Sequence, residues 1–152
     1  MKRDARDILK EVGLKKTNGR ILVLETLLNS DRPLVHEDIL NKIGNENINR
    51  VTIYRILNQF LEKGVVHKIV VGDRKARFAV CDHIHFGHCH PHFSCKICGK
   101  VECLRDVTIL PSHELKTGYI IEEQEVYMRG ICANCAKKIF NKNNKVKEGL
   151  YK

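Results

Sequence analysis

Two pairs of cysteines stand at a spacing that binds metal: Cys95-Lys96-Ile97-Cys98-Gly99 and Cys132-Ala133-Asn134-Cys135, with 33 residues between them. Each Cys-x-x-Cys knuckle turns two sulfurs toward one ion, and Gly99 permits the tight turn after the first. Two knuckles make a closed tetrahedral set of four thiolates, which suits one structural Zn2+ and leaves no open position for chemistry. A redox pair would need only one knuckle in a βα setting. The stretch between the knuckles reads as a helix near 112–117 and a partly alternating strand over 119–128, which the ion would tie together.

The histidines form a second concentration. Five of the eight fall in Cys81-Asp82-His83-Ile84-His85-Phe86-Gly87-His88-Cys89-His90-Pro91-His92. Beside a complete set of four thiols, so many borderline ligands have no structural need. His90 and His92, two apart, project to the same face of an extended strand and can share one ion. Cys81 ends one strand of a hairpin and His67 begins the other, so both fall where the first half of the chain meets the second. A nitrogen-and-sulfur set favours Zn2+ over Mg2+, Ca2+ or Mn2+, while affinity alone leaves Fe2+ open. Enzymatic use of such an ion finds no support: neither His-Glu-x-x-His nor the His-x-Glu…Pro-Cys-x-x-Cys pattern of zinc deaminases is present. Neither an enzyme activity nor a small-molecule substrate is therefore expected.

Composition divides the chain in the same place. Of 152 residues, the first 80 hold 16 Lys and Arg against 10 Asp and Glu, no Cys and two His. The remainder holds all seven Cys with 11 basic against 8 acidic residues, and four thiolates around one Zn2+ would nearly neutralise it. Positive charge belongs to the first half and metal chemistry to the second. That length accommodates two small domains. No apolar run approaches the ~20 residues of a membrane span, and the first residues, with acids in an amphipathic pattern, do not read as a secretory leader. The cytoplasm is the expected compartment, with no membrane partner.

The first half reads as helices followed by a hairpin: helices near 4–12, from a Thr17 or Asn18 cap to about 29, over 36–43, and over 50–63 behind an Asn49 cap. Strands around Val65–Val71 and 74–80 then flank a Gly72-Asp73 turn. Helix, helix, helix, hairpin is the order of a winged helix-turn-helix, whose recognition helix enters the major groove and whose wing reaches the backbone. Arg50, Thr52, Tyr54, Arg55 and Asn58 lie near the start of the candidate recognition helix and suit base edges. Lys15, Lys16 and Arg20 before it, and Arg74, Lys75 and Arg77 in the hairpin, suit phosphates. Double-stranded DNA is the expected partner.

These motifs together resemble the ferric uptake regulator family of metal-dependent transcriptional repressors, over about residues 6–136. The marks are Thr17-x-x-Arg20, Glu37-Asp38-Ile39, Val51-Thr52-Ile53-Tyr54-Arg55-Ile56-Leu57-Asn58-Gln59-Phe60, His90-x-His92-x-x-Cys95-x-x-Cys98-Gly99 and Cys132-x-x-Cys135. The resemblance implies an α+β chain. Its winged-helix domain covers 1–80, a metal-binding hinge covers 81–92, and a small α/β dimerisation domain with a basic C-terminal tail covers 93–152. It further implies a homodimer that binds a palindromic operator when loaded with metal and controls metal-uptake or homeostasis genes. By motif alignment the regulatory ligands fall on Cys81, His90 and His92, with His67 in the position used by zinc-sensing members. Cys103 and His88 are further candidate ligands. Iron and peroxide sensors of the family usually carry a carboxylate where Cys81 stands and a His where Pro33 stands, so both departures point toward the zinc uptake regulator branch. A third family site would fall on Cys89, Pro91, Leu110 and Gln124, an unsuitable set, and is expected to be absent.

Overall fold

The computed structural model describes residues 3–44, 48–81, 90–107, 109, 118–120 and 124–149, with side chains to 141. The helix expected near 112–117, together with His83, His85, His88 and Cys89, lies outside the described residues. Two compact units emerge: Met1–Cys89 with Pro111–Glu125, and His90–Leu110 with Val126–Lys152.

The first unit begins with α1 (Ala5–Glu11) and α2 (Asn18–Leu28). Asp4 and Thr17 cap them, their side-chain oxygens accepting from the backbone N–H groups of Arg6 and Arg20. A two-residue strand, β1 (Leu34–Val35), leads into α3 (His36–Ile43). The candidate recognition helix α4 (Arg50–Glu62) starts where Asn49 Oδ1 accepts from the Thr52 N–H at 2.8 Å. It ends at Lys63, and Gly64, with φ +65°, turns the chain out in the left-handed conformation that favours glycine. Strands β2 (Val66–Val70) and β3 (Ala76–Val80) form the wing, and β1 adds to the far edge of β3 in an antiparallel sheet.

One core locks these elements. Leu9, Val23, Leu24, Ile39, Ile53, Leu57, Phe60 and Val65 are all completely or almost completely buried within it. Each such side chain contributes about 1.5–3 kcal/mol, and the stripe on α4 (Ile53, Leu57, Phe60) thereby fixes which side of that helix faces solvent. The expected apolar face of α2 is wider than its helical period suggested. Val23 is fully buried as well, because α2 packs against neighbours on more than one side.

The second unit has a three-stranded sheet. Strand β4 (His92–Cys95) lies between antiparallel β5 (Val101–Cys103) and parallel β6 (Tyr127–Gly130). Helix α5 (Ala133–Gly149) follows. One expectation is corrected. Of the strand expected over 119–128, Tyr127 and Met128 lie in β6, Tyr127–Gly130, whereas Tyr119 and Ile120 are exposed and outside any ladder, since β propensity without a partner strand does not make a strand; 121–123 lie outside the described residues. Within the stretch that carries the basic tail, α5 runs as far as Gly149, since no Gly or Pro interrupts 133–148 and Ala and Lys favour a helix.

Candidate nucleic-acid interface and metal centres

Burial of one α4 stripe leaves the opposite side open. Val51, Thr52, Tyr54, Arg55 and Asn58 are exposed there, Tyr54 with 58% of its surface. Arg50 at the helix start lies 3.8 Å from Glu37, and both side chains are mostly in solvent, where such a pair contributes little. His36, which sequence reasoning did not single out, reaches across from α3. Its Nε2 lies 3.0 Å from the Arg50 carbonyl oxygen and its ring centroid 6.0 Å from that of Tyr54. No sequence period marks such a contact, because α3 and α4 meet only in the folded unit.

Arg20 is held more firmly than an exposed phosphate ligand. Its Nε and Nη2 both donate to Gln59 Oε1, at 3.2 and 2.9 Å, and its Nη1 donates to the Lys15 carbonyl at 2.9 Å. The guanidinium therefore joins α2 to α4. Gln59 was also missed by sequence reasoning, 39 residues away from its partner.

At the wing, Asp73 organises the basic turn. Its Oδ1 accepts from the Lys75 N–H at 3.1 Å and from Arg77 Nη1 at 2.8 Å, while Oδ2 accepts from Arg77 Nη2 at 2.5 Å. Arg77 is thus paired within the hairpin, whereas Arg74 and Lys75 remain exposed at its tip. Arg74 adopts φ +57°, a left-handed conformation that the hairpin turn imposes on a non-glycine residue. The hydrogen-bonded Arg77 guanidinium holds the Asp73 carboxyl well below the usual carboxylate range. The stabilisation is therefore fully present above the ordinary carboxylate value of about 3.9 and is lost only as pH falls through the depressed folded value. Asp73→Ala should cost at most about 1 kcal/mol in a thermal melt, because the pair is partly solvated. It should also weaken DNA binding a few-fold in a gel-shift titration by loosening the turn that presents Arg74 and Lys75; unchanged affinity would remove the wing from the interface.

In the second unit the four knuckle cysteines converge. Sγ atoms of Cys95, Cys98, Cys132 and Cys135 all lie within 4.8 Å of one another, and none is in a disulfide. Zn–S bonds of about 2.3 Å in a tetrahedron put the sulfurs ~3.8 Å apart; Cys98 and Cys132 Sγ are separated by 3.8 Å. Gly99, φ +72°, completes the first knuckle turn, and β4 and the first turn of α5 carry Cys95 and Cys135. The Cys132 N–H donates to Cys95 Sγ at 3.3 Å, and this and neighbouring N–H groups draw the Cys95 thiol down to about 6. Cys135 is pushed up to about 12, chiefly by its hydrogen bond with Cys132 and by burial. Thiols so crowded cannot all ionise without a cation among them, so the donor set fits a resident divalent ion.

A second ligand set begins at the same strand. His90, His92 and Cys103 offer ligand atoms within 4.8 Å of each other, with the two rings 5.1 Å apart. The register explains this: His92 opposes Cys103 on β5 and Tyr127 on β6. His92 is 4% exposed, and burial, followed by the charges of His90 and Arg105, brings it down to about 4, so its imidazole is neutral at physiological pH. In the first unit, Cys81 Sγ lies 3.5 Å from His67 Nδ1.

The model of the ferric uptake regulator family matches residues 11–129. The chain belongs to that family. This family member is a metal-responsive transcriptional repressor that binds DNA, and is not an enzyme. It is similar to the ferric uptake regulation protein of Bordetella parapertussis, 34% identical over 136 residues that cover 85% of this chain and 94% of that one. It is also similar to the peroxide operon regulator of Bacillus subtilis, 30% identical over 143 residues, with 90% and 94% covered. A zinc uptake regulator solved with zinc and DNA shares the fold, with TM-score 0.64, 24% identity and coverage of 89% of this chain and 92% of that one. No helix among the regulator's described residues is long and apolar enough to cross a membrane.

Proposed function

We propose that the protein is a cytoplasmic zinc-responsive repressor that binds a palindromic operator as a homodimer and controls genes of metal uptake or homeostasis. In this reading residues 1–80 read DNA, 81–92 form a hinge and 93–152 dimerise. Cys95, Cys98, Cys132 and Cys135 would hold one structural Zn2+ per subunit. A second, exchangeable ion would take its ligands from His67 and Cys81 in the first unit and from His90 and His92 in the second, with Cys103 beside them and His88 a further candidate.

The observation that carries this reading is that each unit holds an incomplete set. Cys81 and His67 supply two donors, and His90, His92 and Cys103 three. Zinc sites with nitrogen and sulfur ligands take four. A bound ion would supply a tie between groups on the two units. Two DNA readers must stand about one helical turn apart, ~34 Å, to engage both halves of a palindrome. A tie that favours one spacing shifts the population toward the DNA-competent form. The neutral His92 supports ready coordination at physiological pH, since protons compete little for its lone pair.

The choice of zinc rests on the thiol at Cys81 and on the absence of histidine at Pro33. A second reading, an iron- or peroxide-responsive regulator, is favoured by the likeness to the Bacillus subtilis protein. A DNA-binding titration of dialysed protein against buffered free Zn2+, Fe2+ and Mn2+, with metal content read per subunit, separates the two. The expected result is half-maximal operator binding at far lower free Zn2+ than Fe2+, with two zinc ions per subunit at saturation. Activation by Fe2+ at its lower free concentrations, lost on peroxide treatment, would overturn the zinc reading.

A further inference from the structure

Strands β4 and β5 bring three metal-binding atoms together within the second unit. His92 and Cys103 are opposed partners in the antiparallel ladder, so their side chains leave the sheet on one face. His90, two residues before His92, turns to that same face, and ligand atoms of all three lie within 4.8 Å of one another. Backbone bonds hold the trio in place before any ion arrives. The Leu104 N–H donates to the Pro91 carbonyl at 2.8 Å, and the His92 N–H donates to the Val126 carbonyl at 2.9 Å. His92 is buried and the other two are half-buried, so the site is largely shielded from water.

Two imidazoles and one thiolate fall one donor short of tetrahedral zinc, and they leave Zn2+ with an uncompensated positive charge. Burying such a charge is costly, so zinc calls for a second anion, which the thiol of Cys81 would bring. For another ion the same three donors are complete. A soft monovalent cation with a filled d shell accepts three ligands in a plane, and one thiolate neutralises its single charge. Two histidines and one cysteine in trigonal array are a copper donor set, and thiolate selects the cuprous state. We infer that His90, His92 and Cys103 form a trigonal site for Cu+ contained wholly within the second unit. Such a site draws nothing from Cys81 or His67. A cuprous ion therefore occupies it without tying the units together, and it keeps zinc from ligands that zinc must use. Cu+ then antagonises the zinc response. That consequence, unlike the binding itself, rests on the zinc-responsive reading.

The test titrates full-length protein carrying its knuckle zinc, free of oxygen, with Cu+ held by bicinchoninate, a chromophoric chelator that reports the ion it loses. The wild type should remove one Cu+ per subunit with its zinc content unchanged, and X-ray absorption should show one sulfur and two nitrogens around the copper. Cys103→Ser should leave that ion with the chelator. So should His90→Ala, which precedes the strand and therefore does not depend on β5 tolerating a serine. Cys81→Ser should take up Cu+ as the wild type does. Uptake retained in both Cys103→Ser and His90→Ala would overturn the site, and uptake lost in Cys81→Ser would overturn its confinement to the second unit. Copper bound by sulfur alone, with zinc released, would overturn it too, since the knuckle thiols would then be the ligands. Operator binding is read on a duplex selected from a random-sequence pool by the zinc-loaded wild type. One equivalent of Cu+ should remove the zinc-dependent gain in affinity, about 5- to 150-fold for a coupling of ordinary size. A gain with Cu+ equal to that with zinc would overturn the antagonism. Zinc that brings no gain, with Cu+ uptake intact, would sink the zinc-responsive reading and leave the copper site standing.

Discussion

Cys132→Ser is expected to unfold the second unit while leaving the first intact. The reason is one of magnitude. Among the described residues, buried side chains there are few: Cys95, Cys132 and Cys135 with Phe93 packed against them, and Pro91, His92 and Val101. So small a core does not offset the ordering of three strands and a helix, which costs roughly 1–2 kcal/mol per residue in backbone entropy alone. A structural Zn2+ contributes ~10–16 kcal/mol in small domains that depend on it, as much as the whole stability of an ordinary domain. Losing one of four thiolates therefore removes most of what folds this unit. The first unit has its own core around Leu24, Leu57 and Phe60 and should keep a cooperative melt. Hydrogen exchange that stays protected in α4 but is lost in β4 and α5, with zinc content falling, is the expected signature. Retained protection in β4 and α5 of zinc-free Cys132→Ser protein would refute the structural role of the ion.

The second large effect falls on regulation rather than folding. His90→Ala combined with His92→Ala should abolish zinc-dependent operator binding and leave one tightly held zinc per subunit. The coupling at stake is ~1–3 kcal/mol, or about 5- to 150-fold in operator affinity. Neither substitution touches a knuckle cysteine. His92 does pack on Tyr127 at 5.6 Å between ring centroids and is buried, so removing it leaves a void beside β6. A thermal melt of the single variant His90→Ala separates the two contributions, because His90 precedes the strand and is only half-buried. His90→Ala alone should already lower the zinc response without lowering the melting temperature by more than a few degrees. If the double variant still answers zinc as the wild type does, the sensor lies elsewhere.

How much of this was legible beforehand follows from the range over which each signal acts. The helices of the first unit announce themselves locally. Thr17 and Asn49 are capping residues, Gly44 and Gly64 follow helix ends, and Ile53, Leu57 and Phe60 recur at helical spacing, so the folded bounds differ from the expected ones by a residue or two. The wing likewise follows from β-branched runs around Gly72-Asp73. The two-residue β1 was invisible because its only reason for being extended is its pairing with Phe78 and Arg77. The bounds of β6 were missed for the same cause: its parallel partner is β4, more than thirty residues away, and nothing local marks Tyr127–Gly130 as the paired segment.

The chemistry of the chain was written in residue types and short spacings. Two Cys-x-x-Cys knuckles demand one tetrahedral ion whatever surrounds them, because ligand number and bond length are properties of the metal and the sulfur. Charge asymmetry and the exposed positions of α4 are equally local, and both survive intact in the folded unit. Tertiary structure alone decided which cations are committed and which remain available. Arg20 binds Gln59 and Lys15, Arg77 binds Asp73, and His36 reaches α4, whereas Arg55, Arg74 and Lys75 stay exposed. A guanidinium looks the same in a sequence whether it meets a carboxamide or open water, since its partner is chosen by packing between helices that only the shared core brings together.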